Sequence, residues 1–377
     1  MKTLKPMAVV MAVASIVMVS GCGSDLDQPI NAEIGGFEAD ALIGVSIPYI
    51  CDSCGWNLDE AFFNDELYDA GFSPMVLPSD VFYEQEDIVE YMIEQGAKVI
   101  VVNPLDRAEL VPLLATAKEA GVYVIAYDRL LTETPDVDLY ITYDYCQIGV
   151  LQADSLLEGL AKRSDPPWNV ELIAGSPDDA RASMMFECAM GVLRPKIDDG
   201  VLVVPSGQVS FEAVATEGER ETSVRARFAE LMIEFYNKGA SLNGLLSSKG
   251  TLARAAATTI SEAGKSIPVF TALDSEGVGG RWSDPIVESI EWIAEGKQYS
   301  AVNRDVNTLV SETIKIIQML QRGEEVLVHD VETYHNGVKV VPTYLLAPVL
   351  VTKDNLCTVY EAGFWTKVAA STSLCGG

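Results

Sequence analysis

The sequence predicts an α/β protein of two lobes, each built on a parallel sheet, and three observations carry that prediction. From residue 41 onward, short runs that are apolar on both faces alternate with amphipathic stretches, the pattern of strands buried beneath helices. The first three amphipathic stretches each end at a glycine, the usual helix stop. At 377 residues the chain is longer than one ordinary sheet needs and suits two lobes.

The elements follow in order. Leu42 to Ile47 reads as a buried strand and Leu58 to Ala70 as a helix closed by Gly71. Ile88, Val89, Met92 and Ile93 share one helical face that stops at Gly96. Val99 to Val102 is a continuous apolar strand ended by Asn103-Pro104, and a helix from Ala108 to Ala120 stops at Gly121. Strand Tyr123 to Tyr127 leads into Asp128-Arg129. The rhythm restarts near Val137 with strand Tyr140 to Tyr143 and a helix around Gln147 to Leu160. Strand Val170 to Ala174, a helix around Ala182 to Leu193 and strand Val201 to Val204 follow. A helix from Val224 to Tyr236, strand Leu245-Leu246, a helix from Leu252 to Ala263 and strand Pro268 to Thr271 continue the series. Ligands of open α/β sheets sit beyond the carboxyl ends of strands, so the residues just after each strand are the candidates.

The N-terminus sets the compartment. Lys2 and Lys5 precede the apolar stretch Met7 to Val19, which ends in Val19-Ser20-Gly21-Cys22. A positive start, a short apolar run and small residues before a cut site describe an export signal over residues 1–21. Small residues directly before a cysteine are similar to the bacterial lipobox, which implies lipidation of Cys22 and a tether over residues 22–40. No later segment reads as long and apolar enough to span a bilayer. The net charge of −29 grows more negative once the two signal lysines are removed. Such acidity argues against nucleic acid or an anionic lipid surface as partner, so membrane contact is expected through the anchor alone. Apart from Cys22, six cysteines remain, and an oxidising compartment favours disulfides. Of the 15 possible connectivities, local pairing prefers Cys51 with Cys54, Cys146 with Cys188, and Cys357 with Cys375. Cys51-x-x-Cys54 lacks the second cluster a zinc site needs and the surroundings of a redox site. No metal or cofactor is expected.

The stretches Ile43 to Pro48, Ala126 to Leu130, Gly149 to Ala153, Glu171 to Asp179 and Asn336 to Leu346 resemble the type I periplasmic binding proteins. Within them they resemble the branch of multiple-sugar, xylose and ribose receptors of ABC transporters, in one collinear match over about residues 41–365. The resemblance implies two Rossmann-like lobes joined by a three-segment hinge, closure on a ligand, and no catalysis. The lobes are expected at 41–136 plus about 305–342, and at 137–304 plus about 343–377. It also implies a monomer that captures a small polar solute, a monosaccharide, and delivers it to a permease. A sensory receptor of the same fold, or a receptor for a polyol, nucleoside or other solute, is the alternative.

Carried over position by position, Trp56 is the plane on which a pyranose stacks. Asp128 and Arg129 are the ligand-binding pair, the carboxylate accepting from hydroxyls and the guanidinium donating to oxygens. Asp178 and Asp179 either bind hydroxyls or cap the following helix. Asp274 and Arg304 complete the set, and Asp144 is expected to be a helix cap. Several positions depart from the pattern. The loop Tyr49 to Trp56 has no basic residue where relatives carry them, and Arg181 stands where they have an amide. Lys249 lies near a missing aspartate, and Leu273 replaces a glutamine. The scaffold is kept and the pocket rewritten. An enzyme is disfavoured: the two histidines, His329 and His335, lie far from the strand ends, and no phosphate or dinucleotide loop follows a strand.

Overall fold

Glycine and proline punctuation, rather than helix propensity, sets where the elements of this chain begin and end. The computed structural model describes residues 28–30, 35–48, 58–79, 84–237, 239–273 and 285–361. The export signal, Cys22, Cys51, Cys54, Trp56, Asp274 and Cys375 lie outside them. No helix among the described residues is long and apolar enough to cross a membrane.

After the short strand β1 (Gln28–Ile30) come β2 (Leu42–Pro48), α1 (Leu58–Asp69), β3 (Ser73–Ser79), α2 (Gln85–Glu94), β4 (Val99–Val102), α3 (Val111–Glu119), β5 (Tyr123–Tyr127) and β6 (Leu139–Tyr143). Gly71, Gly96 and Gly121 take positive φ values of 90°, 83° and 74°, the left-handed conformation that ends a helix cheaply only in glycine. In α2, Ile88, Val89 and Met92 are buried, each stabilising the lobe by roughly 1.5–3 kcal/mol through apolar burial. The helix expected from Ala108 begins three residues later, with Pro112 in its first turn, where a missing N–H costs nothing.

β3 was not legible as a strand, because Pro74 and Pro78 interrupt it. It pairs only with β2, at the sheet edge, where proline is tolerated. Tyr140 to Tyr143, read from sequence as opening the second lobe, is the body of β6. It pairs in parallel with β5 and with a later strand in the first sheet. Periodicity locates a strand without saying which sheet will take it.

The chain then enters the second sheet through α4 (Tyr145–Arg163), β7 (Trp168–Ile173), α5 (Ala180–Asp198), β8 (Leu202–Val203) and the short α6 (Phe211–Val214). α7 (Glu221–Glu234), β9 (Gly244–Ser247), α8 (Gly250–Glu262), β10 (Val269–Leu273), α9 (Pro285–Ala294) and β11 (Ser300–Asn303) follow. α10 (Val306–Gln321), β12 (Val326–Val328) and β13 (Thr343–Leu346) return to the first lobe, and β14 (Val349–Thr352) and α11 (Leu356–Glu361) end in the second. The sheet orders are β13-β6-β5-β4-β2-β3 and β14-β11-β10-β9-β7-β8. Both are parallel except where β14 runs antiparallel to β11. β13 therefore lies in the first sheet, although residues from 343 on were expected in the second lobe. Three crossings join the lobes: between β6 and β7, between β11 and α10, and between β13 and β14. Separately, β1 pairs antiparallel with β12.

Cys146 and Cys188 form the expected disulfide, with Cα atoms 5.2 Å apart, and so join α4 to α5. The two helices can lie this close because Gly149 has no side chain: a Cβ there would fall on the Met185 carbonyl oxygen. Cys357 is disulfide-bonded, and its expected partner Cys375 is outside the described residues.

Candidate functional site

The site is built where the carboxyl ends of both sheets face each other. β5 ends in Asp128, which holds φ at 58°, a left-handed conformation that aspartate tolerates better than most residues. Its backbone is clamped to β6: its N–H donates to Ile141 at 2.9 Å, and its carbonyl accepts from the Tyr140 hydroxyl at 2.8 Å. The turn therefore aims the carboxylate at the second lobe.

Both carboxylate oxygens of Asp128 are engaged. Oδ2 accepts from Arg181 Nη1 at 2.8 Å, and Oδ1 accepts from Arg304 Nη1 at 3.0 Å and from the Tyr145 hydroxyl at 3.3 Å. The guanidiniums of Arg181 and Arg304 also lie 5.4 and 5.1 Å from the centroid of the Tyr145 ring, a cation–π arrangement, and both donate to its hydroxyl. Burial alone would push the Asp128 carboxyl up. The two guanidiniums and the donated hydrogen bonds outweigh it and hold the group at about 2. Asp59, in the first turn of α1, shows the opposite balance. Burial, and then the Asp128 charge, push its carboxyl up to about 6.

Asp179 caps α5 by accepting from the Arg181 backbone N–H at 3.0 Å, and it also takes Arg181 Nε and Nη2, each at 3.1 Å. Arg107 of the first lobe stands 3.6 Å from it. Burial opposes its ionisation, but the charge of Arg181, helped by Arg107, holds its carboxyl below the usual value. Lys249 forms an ion pair with Glu219. Between these groups lies a narrow cleft, lined in part by Tyr145, Asp179, Arg181, Ser248, Lys249 and Arg304. Gly175 lets two of the lining residues pack closely: a Cβ there would meet Ala182 Cβ at 2.9 Å and Glu219 Oε1 at 3.0 Å.

Asp128, Asp179, Arg181, Lys249 and Arg304 thus meet in one place. Arg129 does not join them. Its Nη1 donates to the Pro104 carbonyl at 3.2 Å and braces the end of β4. Asp178 is exposed and does not line the cleft. Asp144 caps α4 through the Gln147 N–H at 2.8 Å, as its position before the helix predicts. Trp56 and Asp274 fall outside the described residues. Tyr145, Arg107, Ser248 and Glu219 were missed. Tyr145 is the first residue of α4, two past the end of β6, and so carried a signal. Glu219 lies in an irregular stretch where periodicity is silent. Among the described residues no cluster of three or more metal-ligating side chains occurs.

Comparison with known proteins agrees with this architecture. The periplasmic binding protein domain family matches residues 43–325. The chain is 36% identical to the multiple sugar-binding periplasmic receptor ChvE of Rhizobium radiobacter, over 88% of this chain and 92% of that protein. It superimposes on an ABC transporter solute-binding protein of Clostridium phytofermentans, solved with bound β-D-glucose, with a TM-score of 0.72 and 31% identity. That alignment covers 86% of this chain and 98% of the other. A carbohydrate transporter solute-binding protein of Chloroflexus aurantiacus, in complex with D-glucose, gives a TM-score of 0.68 at 27% identity, covering 86% and 96%. With two parallel-stranded lobes, three crossings and a cleft at the strand ends, the chain belongs to the periplasmic binding protein family.

Proposed function

We propose that the protein is an extracytoplasmic receptor that captures a monosaccharide by closing its lobes and hands it to the permease of an ABC transporter. The observation that carries this reading is the pair of crossed contacts between lobes: Asp128 of the first meets Arg181 of the second, and Arg107 of the first faces Asp179 of the second. Groups placed this way sense the separation of the lobes, so a ligand bound among them is coupled to closure. The sugar-binding relatives support the ligand class. Asp128, Asp179, Arg181, Lys249 and Arg304 form the polar part of the binding site, and Trp56 supplies its stacking face. Lipidation at Cys22 holds the receptor at the membrane, a reading supported by the sequence Val19-Ser20-Gly21-Cys22.

A thermal-shift screen against monosaccharides and polyols tests the receptor. Ligand at a hundredfold excess over Kd adds about 2.7 kcal/mol to the folded state. A shift with sugars is expected; no shift with any sugar, beside a clear shift with another solute class, rejects the ligand assignment. Separately, Cys22→Ser is expected to release the protein from the membrane fraction, and unchanged retention rejects the anchor.

A further inference from the structure

The charges around the cleft come in both signs and lie against one another. Asp128 meets Arg181 and Arg304, Asp179 meets Arg181 and Arg107, and Glu219 meets Lys249. Asp59 lies close enough to feel the charges of Asp128 and Arg304. Such a ring suits an uncharged ligand whose hydroxyls both donate and accept.

One part of the lining is of a different kind. Ala182 and Met185 of α5, and Leu273 at the end of β10, also line the cleft. They are buried. Met185 and Leu273 belong to one hydrophobic cluster that continues through Ile148 and Val302, and Ala182 to a second cluster with Phe186 and Ala189. The apolar stretch is thus where packed core reaches the cleft. A hydroxyl turned against it exchanges water for carbon and gains no hydrogen bond, whereas a methyl group gains by the same burial.

Ser248 borders that stretch. It is 5% exposed and lines the cleft, and its Oγ meets no hydrogen-bond partner among the described residues. A buried hydroxyl left this way marks a position that a ligand oxygen would fill. A Cβ on Gly175 would lie 2.9 Å from Ala182 Cβ and 3.5 Å from Ser248 Oγ, so the two sit on either side of one point. A ligand matched to both carries an oxygen for Ser248 and, close to it, a carbon group without one.

We propose that the ligand is a 6-deoxyhexose, a monosaccharide ending in a methyl group where the common hexoses carry a hydroxymethyl, and that the methyl is seated against Ala182, Met185 and Leu273. A ring carbon that had merely lost its hydroxyl would leave the wall without contacts, while an exocyclic methyl projects from the ring and reaches it. The inference rests on the receptor reading above and narrows its ligand.

Calorimetric titration with matched pairs decides it: 6-deoxy-D-glucose against D-glucose, D-fucose against D-galactose, and L-rhamnose against L-mannose. The methyl sugar of at least one pair is expected to bind about tenfold tighter or more than its hydroxylated partner, the usual cost of burying one hydroxyl unpaired. Leu273→Gln places an amide on the wall, and is expected to weaken the methyl sugar and strengthen its partner. Ala182→Ser adds a single hydroxyl to the same wall and is expected to move the ratio in the same direction. Hydroxylated sugars binding as tightly as their methyl partners in all three pairs, or a ratio that neither variant moves, would overturn the deoxysugar assignment and leave the receptor function standing. Failure of every sugar in both classes would overturn both.

Discussion

Arg181 and Asp128 lie on different lobes, 53 residues apart in sequence, and join at 2.8 Å. Side chains of both are less than one-fifth exposed, so the pair sits where water screens it weakly. Removing one partner of a buried pair is costly, and Asp128→Asn takes from Arg181 and Arg304 the carboxylate they share. The expected loss is about 3 kcal/mol, measured by urea unfolding. Asp178→Asn, a change at an exposed neighbour, is expected to stay within about 0.5 kcal/mol. Equal effects at the two positions would contradict the site geometry.

Two carboxyls give the stability a shaped pH dependence. Asp128 titrates near 2 in the folded protein against 3.8 ordinarily. Its contribution is therefore complete above pH 3.8 and lost as pH falls toward 2. Asp59 titrates near 6 against 3.8, so the folded state holds a proton that the unfolded chain has shed, and stability falls as pH rises through that window. Each effect amounts to roughly 2.5–3 kcal/mol, at about 1.4 kcal/mol per unit. Asp59→Asn is expected to remove the decline between pH 4 and 6 and leave the acid limb in place. Unfolding free energies measured from pH 2 to 8 check both limbs.

The contact between α4 and α5 makes a third prediction. Gly149→Ala puts a methyl group on the Met185 carbonyl, and backbone cannot turn aside as a side chain can. A loss of about 2–3 kcal/mol is expected from overpacking. The double change Cys146→Ala/Cys188→Ala opens a loop of 42 residues and is expected to cost about 4 kcal/mol through the freedom restored to the unfolded chain. Reductant is expected to lower the stability of the wild type by about that much more than it lowers the stability of the variant.

Asn336 supports a fourth. It is 1% exposed; its Nδ2 donates to the Leu131 and Thr134 carbonyls, and its Oδ1 accepts from the N–H groups of Val338 and Lys339. Asn336→Ala strands these backbone groups, and a loss of roughly 2–3 kcal/mol is expected in thermal or urea unfolding. Asn336→Asp keeps the acceptor half only and is expected to fall between the two.

The strands and helices that were legible in the sequence were those with a strong period and a glycine stop, such as Val99 to Val102 and the face of Ile88 to Ile93. β3 was illegible because its prolines are admissible only at an edge, and edge position is a property of the sheet. β6 was legible as a strand and misplaced in the architecture, for the same reason. In the site, Asp128 stood out because it follows a strand end and Arg181 because it replaces an amide of the family pattern, but their mutual bond joins two lobes and leaves no trace in local pattern. Tyr145, with two guanidiniums close to its ring, looked like one more aromatic at the start of a helix.

The pairing of β1 with β12 has a consequence outside the cleft. Five residues separate Cys22 from Gln28, where the chain is already paired with Val328 in the ladder of β1 and β12. Fully extended, that leash reaches only about 20 Å, less than the breadth of a 150-residue lobe with a radius of gyration near 15 Å. With Cys22 lipidated, the first lobe could not tumble freely above the bilayer: the face bearing β12 would stay turned toward the lipid. Capture would take place in a thin layer over the membrane, and the encounter with a permease would become a two-dimensional search by a receptor whose orientation is already restricted.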